Sequence, residues 1–111
     1  SLADLHDQAQ TLAAAARDGK LLPDAMSGST FTVSNMGMLD VDHFTAIINP
    51  GESAILAVAS TREEPVVKDG AVAIRARMRL TLSADHRIVD GALAAGFVNR
   101  IKQILENPDQ F

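Results

Sequence analysis

His86 and Asp90 stand four residues apart in the segment Ser83-Ala84-Asp85-His86-Arg87-Ile88-Val89-Asp90-Gly91-Ala92. A neutral imidazole accepts a proton near pH 7, and shielding from water favours the neutral form, so a sheltered His86 is a candidate general base. Asp90 can cap a helix through its carboxylate or turn back to orient a charged neighbour, and Gly91 beside it suggests close backbone approach. The spacing alone leaves both readings open, because a buried histidine beside a capping aspartate is more often structural than catalytic. His6, beside Leu5 in a helical pattern, and His43, beside Asp42 in a polar loop, read as surface or boundary residues. His43 with Asp40 and Asp42 has no recognised metal-site spacing, so no metal is expected. Arg75, Arg77 and Arg79 form a row that suits a solvated or strand-pairing face, with phosphate contact as the alternative. The chain has no cysteine, which removes disulfides, thiolate zinc sites and a cysteine nucleophile; any reacting thiol must belong to a substrate.

The elements that must position these residues follow from periodicity. Leu2, Leu5, Ala9, Leu12 and Ala16 recur at helical spacing, with Ser1 or Asp4 as cap and Gly19 as stop. Leu21 to Ser29 reads as a connecting loop. The run Thr30-Phe31-Thr32-Val33-Ser34 predicts a strand ending at Ser34 or Asn35. Ser53 to Ser60 predicts a central strand buried on both faces. Val66-Val67, then Asp69-Gly70, then a long alternating run signal a hairpin. From Val72 the even positions Val72, Ile74, Ala76, Met78, Leu80, Leu82 and Ala84 are apolar, and the same period of two sends His86 out on the apolar side. Asp90 then sits at a helix N-cap, with Leu93, Phe97, Ile101, Ile104 and Leu105 on one face and Asn107-Pro108 as the stop; Gly96 again suggests close packing. The architecture reads as α+β.

Composition agrees with one domain or a piece of one: 111 residues, 47% hydrophobic and 22% charged. The net charge of −4, with no Trp or Tyr and no basic run, speaks against nucleic acid as partner. No apolar run approaches the ~20 residues needed to span a bilayer, and no leader pattern opens the chain, so no membrane association and an intracellular setting are expected. A chain this short gains much stability from a neighbour, which makes an oligomer a natural expectation.

The His86–Asp90-Gly91 segment resembles the His-x-x-x-Asp-Gly signature of the dihydrolipoyl acyltransferases and their chloramphenicol acetyltransferase relatives. Phe31-Thr32-Val33-Ser34-Asn35-Met36-Gly37, Phe44-Thr45-Ala46-Ile47-Ile48-Asn49-Pro50, Ala54-Ile55-Leu56-Ala57-Val58 and the closing Leu105-Glu106-Asn107-Pro108 resemble the same family in the same order. The likeness spans nearly the whole chain and is closest in kind to the pyruvate-type, acetyl-transferring members, with branched-chain and acetoin types as alternatives.

This resemblance implies a chloramphenicol acetyltransferase-like mixed β-sheet with flanking helices, of which residues 1–111 form the C-terminal part, without lipoyl or peripheral-subunit-binding domains. It implies acyl transfer between dihydrolipoamide and coenzyme A in a 2-oxo-acid dehydrogenase complex. His86 would be the general base, Ser34 the hydroxyl donating to the oxyanion, and Asp90 a residue holding the site together. Coenzyme A would be a substrate, and the lipoyl group would ride on a separate domain, since Lys20, Lys68 and Lys102 do not resemble the lipoyl-bearing lysine. The implied partners are two further copies in a homo-trimer that builds a larger core, the lipoyl domain and the partner enzymes of the complex, in the bacterial cytoplasm or the mitochondrial matrix. The family's catalytic domain extends further, before the position of Ser1. This segment alone is therefore expected to bind coenzyme A poorly, with a purely structural, assembly role as the alternative function.

Overall fold

The computed structural model describes residues 1–110. Helix α1, Leu2–Arg17, begins with a reciprocal cap: the Asp4 amide donates to Ser1 Oγ at 3.2 Å while the Asp4 carboxylate accepts from the Ser1 amine and hydroxyl. It ends where Gly19 takes φ +66°. No residue of α1 is buried, and its apolar side chains Leu2 and Leu5 stay exposed among the described residues. The connection to Ser29 contains one 3-10 turn, Pro23–Met26.

Strands β1 (Thr32–Asn35), β2 (Ala54–Val58) and a later strand over Leu80–Ala84 form a mixed sheet with β2 in the middle. β1 runs parallel to β2 and the third strand antiparallel to it. The sequence Ala-Ile-Leu-Ala-Val holds no polar side chain, and Ala54, Ile55, Leu56 and Ala57 are all buried. The predicted central strand is therefore found in place. Gly37 opens a second 3-10 turn after β1; its amide donates to Asn35 Oδ1 at 2.8 Å, and a Cβ there would lie 3.0 Å from that oxygen.

The hairpin β3 (Arg62–Lys68) and β4 (Ala71–Arg77) turns at Asp69 and Gly70, both at positive φ as a type I′ turn requires. The expectation of one uninterrupted strand from Val72 to Ala84 is corrected here. It divides into β4 and β5 (Leu80–Ala84), separated by Met78 and Arg79. Val58 pairs with Leu80 and Arg62 with Arg77, so three residues, Ala59 to Thr61, oppose two. The extra residue makes a β-bulge, and the Ala59 amide still reaches the Arg79 carbonyl at 3.1 Å. The even-numbered apolar row of β4 is not a core face in this chain either: Val72 is 76% and Ile74 67% exposed, because the hairpin reaches beyond the sheet.

Helix α2 (Gly91–Leu105) lies over the face of the sheet that carries Phe31 and β5's Leu80, with Phe31 and Phe97 edge to face at 5.7 Å. Its more covered line is Ala94, Val98, Ile101 and Ile104, whereas Leu93 is 61% and Phe97 46% exposed. A Cβ on Gly91 or Gly96 would meet nothing within 4 Å, so the close approach expected there is absent among the described residues. The α+β expectation holds. The radius of gyration, 16.6 Å, exceeds the ~13 Å of a compact domain this long, consistent with an uncovered helix and an outstretched hairpin. No helix among the described residues is long and apolar enough to cross a membrane.

Candidate active site

Ser34 lies in β1, half-buried, level with Ala57 and through it with Thr81 of β5. Among the described residues its hydroxyl has no hydrogen-bond partner, so it is not consumed by local backbone. The strand is anchored two residues earlier: Thr32 Oγ1 donates to Glu52 at 2.7 Å, Ser29 Oγ donates to the same carboxylate at 2.6 Å, and Asn49 Nδ2 donates to Thr32 Oγ1 at 2.9 Å. Glu52 is only 7% exposed, and the Ser29 and Thr32 hydroxyls hold its carboxyl below the usual range. Sequence reasoning missed this residue. Its signal was an acid placed directly before a strand buried on both faces, where it must enter the core and find donors.

His86 requires a correction. It is exposed, not shielded, in this chain. Period two holds only while the strand lasts, and β5 stops at Ala84; the Asp85 amide bonds the Ser53 carbonyl, then the Ile88 and Val89 amides both return to the Asp85 carbonyl at 3.0 and 2.9 Å. His86 therefore sits on a tight turn rather than on a strand face. Asp85 also takes the Arg87 guanidinium through both carboxylate oxygens, which lowers its pKa to about 2. Asp90 is the predicted N-cap of α2, accepting from the Leu93 amide at 2.8 Å. The nearby charged residue, Arg87, is held by Asp85 instead.

His86 and Asp90 are thus brought to one corner, but Ser34 is not. Ser34 is level with Thr81 of β5, five residues before His86 and two strands away, and His86 lies on the turn beyond the end of β5.

Of the remaining candidates, His43 and Arg79 have side-chain partners. His6 is exposed on α1. His43 Nδ1 lies 2.9 Å from Asp42 and is exposed. The Asp42 carboxyl is kept below its usual range by that bond, then by Arg79 and Arg62. Arg79 reaches Asp42 and also Glu64, and Arg62 reaches Asp40 at 2.8 Å, so this network fastens the loop before β2 to the bulge. No group of three His, Asp or Glu side chains among the described residues could hold a metal ion. A groove of about 370 Å³ lies away from Ser34 and His86, between Met78, Leu80, Val98 and Leu105. It is not lined by any of the three candidate residues.

Chemically, an exposed imidazole on a braced turn can exchange a proton, and an unengaged strand hydroxyl can donate to a developing charge.

The family described as 2-oxoacid dehydrogenases acyltransferase (catalytic domain) matches residues 1–111. A mitochondrial dihydrolipoyllysine-residue acetyltransferase component of pyruvate dehydrogenase complex from Schizosaccharomyces pombe is 46% identical over 96% of the chain and 23% of its own length. The dihydrolipoamide acetyltransferase structure from Azotobacter vinelandii superposes with a TM-score of 0.93 at 42% identity, covering 96% of this chain and 44% of that one. It comes from work on the catalytic roles of a serine, a histidine 52 positions later and an asparagine four beyond that. A structure of the cubic core of the pyruvate dehydrogenase multienzyme complex superposes with a TM-score of 0.93 at 41% identity, over 96% of this chain and 44% of that one. The chain spans about a quarter of its curated relative and under half of the solved cores.

Proposed function

Since this chain belongs to the family of 2-oxoacid dehydrogenase acyltransferase catalytic domains, we propose that it supplies the His86 and Ser34 elements of an acyl-transfer site passing an acetyl group between dihydrolipoamide and coenzyme A. The observation that carries this reading is the spacing: Ser34, His86 and Asp90 stand at the same intervals, 52 and four residues, as the serine, histidine and asparagine of the Azotobacter enzyme. The third position differs, Asp90 here against asparagine there. Both residue types cap helices well, so the α2 cap tolerates the difference.

In this mechanism His86 takes the proton from the thiol of one substrate. The thiolate attacks the thioester carbonyl of the other, and the Ser34 hydroxyl donates to the oxyanion of the tetrahedral intermediate. As the intermediate collapses, the leaving thiolate recovers the proton from His86. Asp90 starts α2 and does not exchange protons. Ser34 and His86 come from different copies in a homo-trimer, which the separation within one chain supports. Burial of the imidazole at that interface restores the shelter that the chain lacks by itself.

Acetyl transfer is favoured over branched-chain or acetoin types by the names of the relatives, which are pyruvate dehydrogenase components. Coenzyme A is a substrate, and the lipoyl group arrives on another domain. Assembly into a larger core with the dehydrogenase-complex enzymes, in mitochondrial matrix or bacterial cytoplasm, belongs to the same proposal. The test is acyl transfer from acetyl-coenzyme A to dihydrolipoamide by the intact protein. His86→Ala should lower kcat by ~10²–10⁴-fold and Ser34→Ala by ~10²–10³-fold. A His86→Ala variant with most of its turnover intact overturns the general-base role.

A further inference from the structure

We infer that Asp85 and Arg87 are positioning residues for acyl transfer, forming a clamp that fixes the backbone on which His86 is presented. The inference rests on the acyl-transfer reading of His86. Every polar group of Asp85 is committed. Its amide bonds the Ser53 carbonyl at 2.9 Å, its carbonyl takes the Ile88 and Val89 amides, and its Oδ1 accepts the Arg87 amide at 3.0 Å. The Arg87 side chain then closes over the same carboxylate, Nε at 3.0 and 3.1 Å from the two oxygens and Nη2 at 2.6 Å from Oδ2.

The bond from the carboxylate to the amide two residues on is an Asx turn whose central residue is His86. The backbone dihedrals of His86 are therefore set by its two neighbours. An exposed ion pair contributes little to stability, and the Arg87 side chain is 87% exposed; its fork geometry is better explained by what it orders than by what it stabilises. The ordered residue is the one that must meet a thiol in a fixed direction, where a displacement of about 1 Å can cost ~10²-fold in rate. Lysine cannot reproduce the fork, because its ammonium is a single point of charge without the planar pair of donors.

The intact protein, assayed with acetyl-coenzyme A and dihydrolipoamide, separates this role from a merely structural one through the split between kcat and KM. Asp85→Ala should lower kcat by roughly 10–100-fold with both KM values within about twofold. Arg87→Ala should fall less, since the backbone bond to Asp85 survives, and Arg87→Lys should recover little of the loss. The double variant should be no slower than Asp85→Ala alone, as residues acting as a unit are non-additive. The clamp is refuted if Arg87→Ala and Asp85→Ala keep wild-type kcat, if the change appears in KM alone, or if lysine restores full rate. Should Asp85→Ala fail to fold, Arg87→Ala and Arg87→Lys carry the same decision. His86→Ala distinguishes the two readings: full turnover there removes the acyl-transfer reading, whereas an inactive His86→Ala with unaffected clamp variants removes only the clamp.

Discussion

Asp85 shows how one side chain can be tied to acidity. Its carboxyl sits at about 2 because the Arg87 side chain, then the Arg87 amide, donate to the ionised form. The ordinary value is ~3.9. A depressed folded-state pKa adds stability that is complete above the unfolded value and is lost as pH falls through the folded one. The stability difference between wild type and Arg87→Ala should therefore be full above about pH 4 and close toward pH 2. Denaturant melts across that range check it; a gap that stays constant or widens on acidification contradicts the assignment. Since Arg87 is exposed, added salt should shrink the gap. At this scale the sequence was only partly legible. Asp90 as a helix cap was readable from its type and place, and so was the absence of a cysteine nucleophile. Glu52 and the Asp85–Arg87 pair were not, because each depends on partners chosen by the turn or by a strand distant in sequence.

Elements were easier to read where one rule acted alone. The β2 run of four buried side chains and the Asp69-Gly70 hairpin turn came directly from residue type. The long alternating run failed at Met78-Arg79 because the opposite strand inserts a residue, and a bulge leaves no mark in the alternation itself. The predicted shelter of His86 failed for a related reason: alternation was extended two residues past the end of β5. The α2 cap offers a clean measurement at this scale. Asp90→Ala should destabilise the protein by about 0.5–2 kcal/mol, whereas Asp90→Asn should stay close to wild type in stability and acyl transfer. A strongly impaired Asp90→Asn enzyme with a normal melting curve would show that the carboxylate acts beyond capping.

For the whole molecule, the surface is informative. Leu2 and Leu5 on α1, Val72 and Ile74 on the hairpin, and Leu93 on α2 are each more than half exposed. In the proposed homo-trimer a neighbouring copy would cover part of these faces and would bring its Ser34 to the first copy's His86. The proposed sharing of the site between copies comes from the family resemblance, since spacing along a chain carries no information about which copy contributes which residue. The most direct test is complementation. Ser34→Ala and His86→Ala chains of the intact protein, each nearly inactive alone, are unfolded together, reassembled at equal ratio and assayed for acyl transfer. A site built from the Ser34 of one copy and the His86 of another becomes intact at about one position in four, so activity should rise to roughly a quarter of wild type. Mixed assemblies no more active than the average of their parents would contradict a site shared between copies.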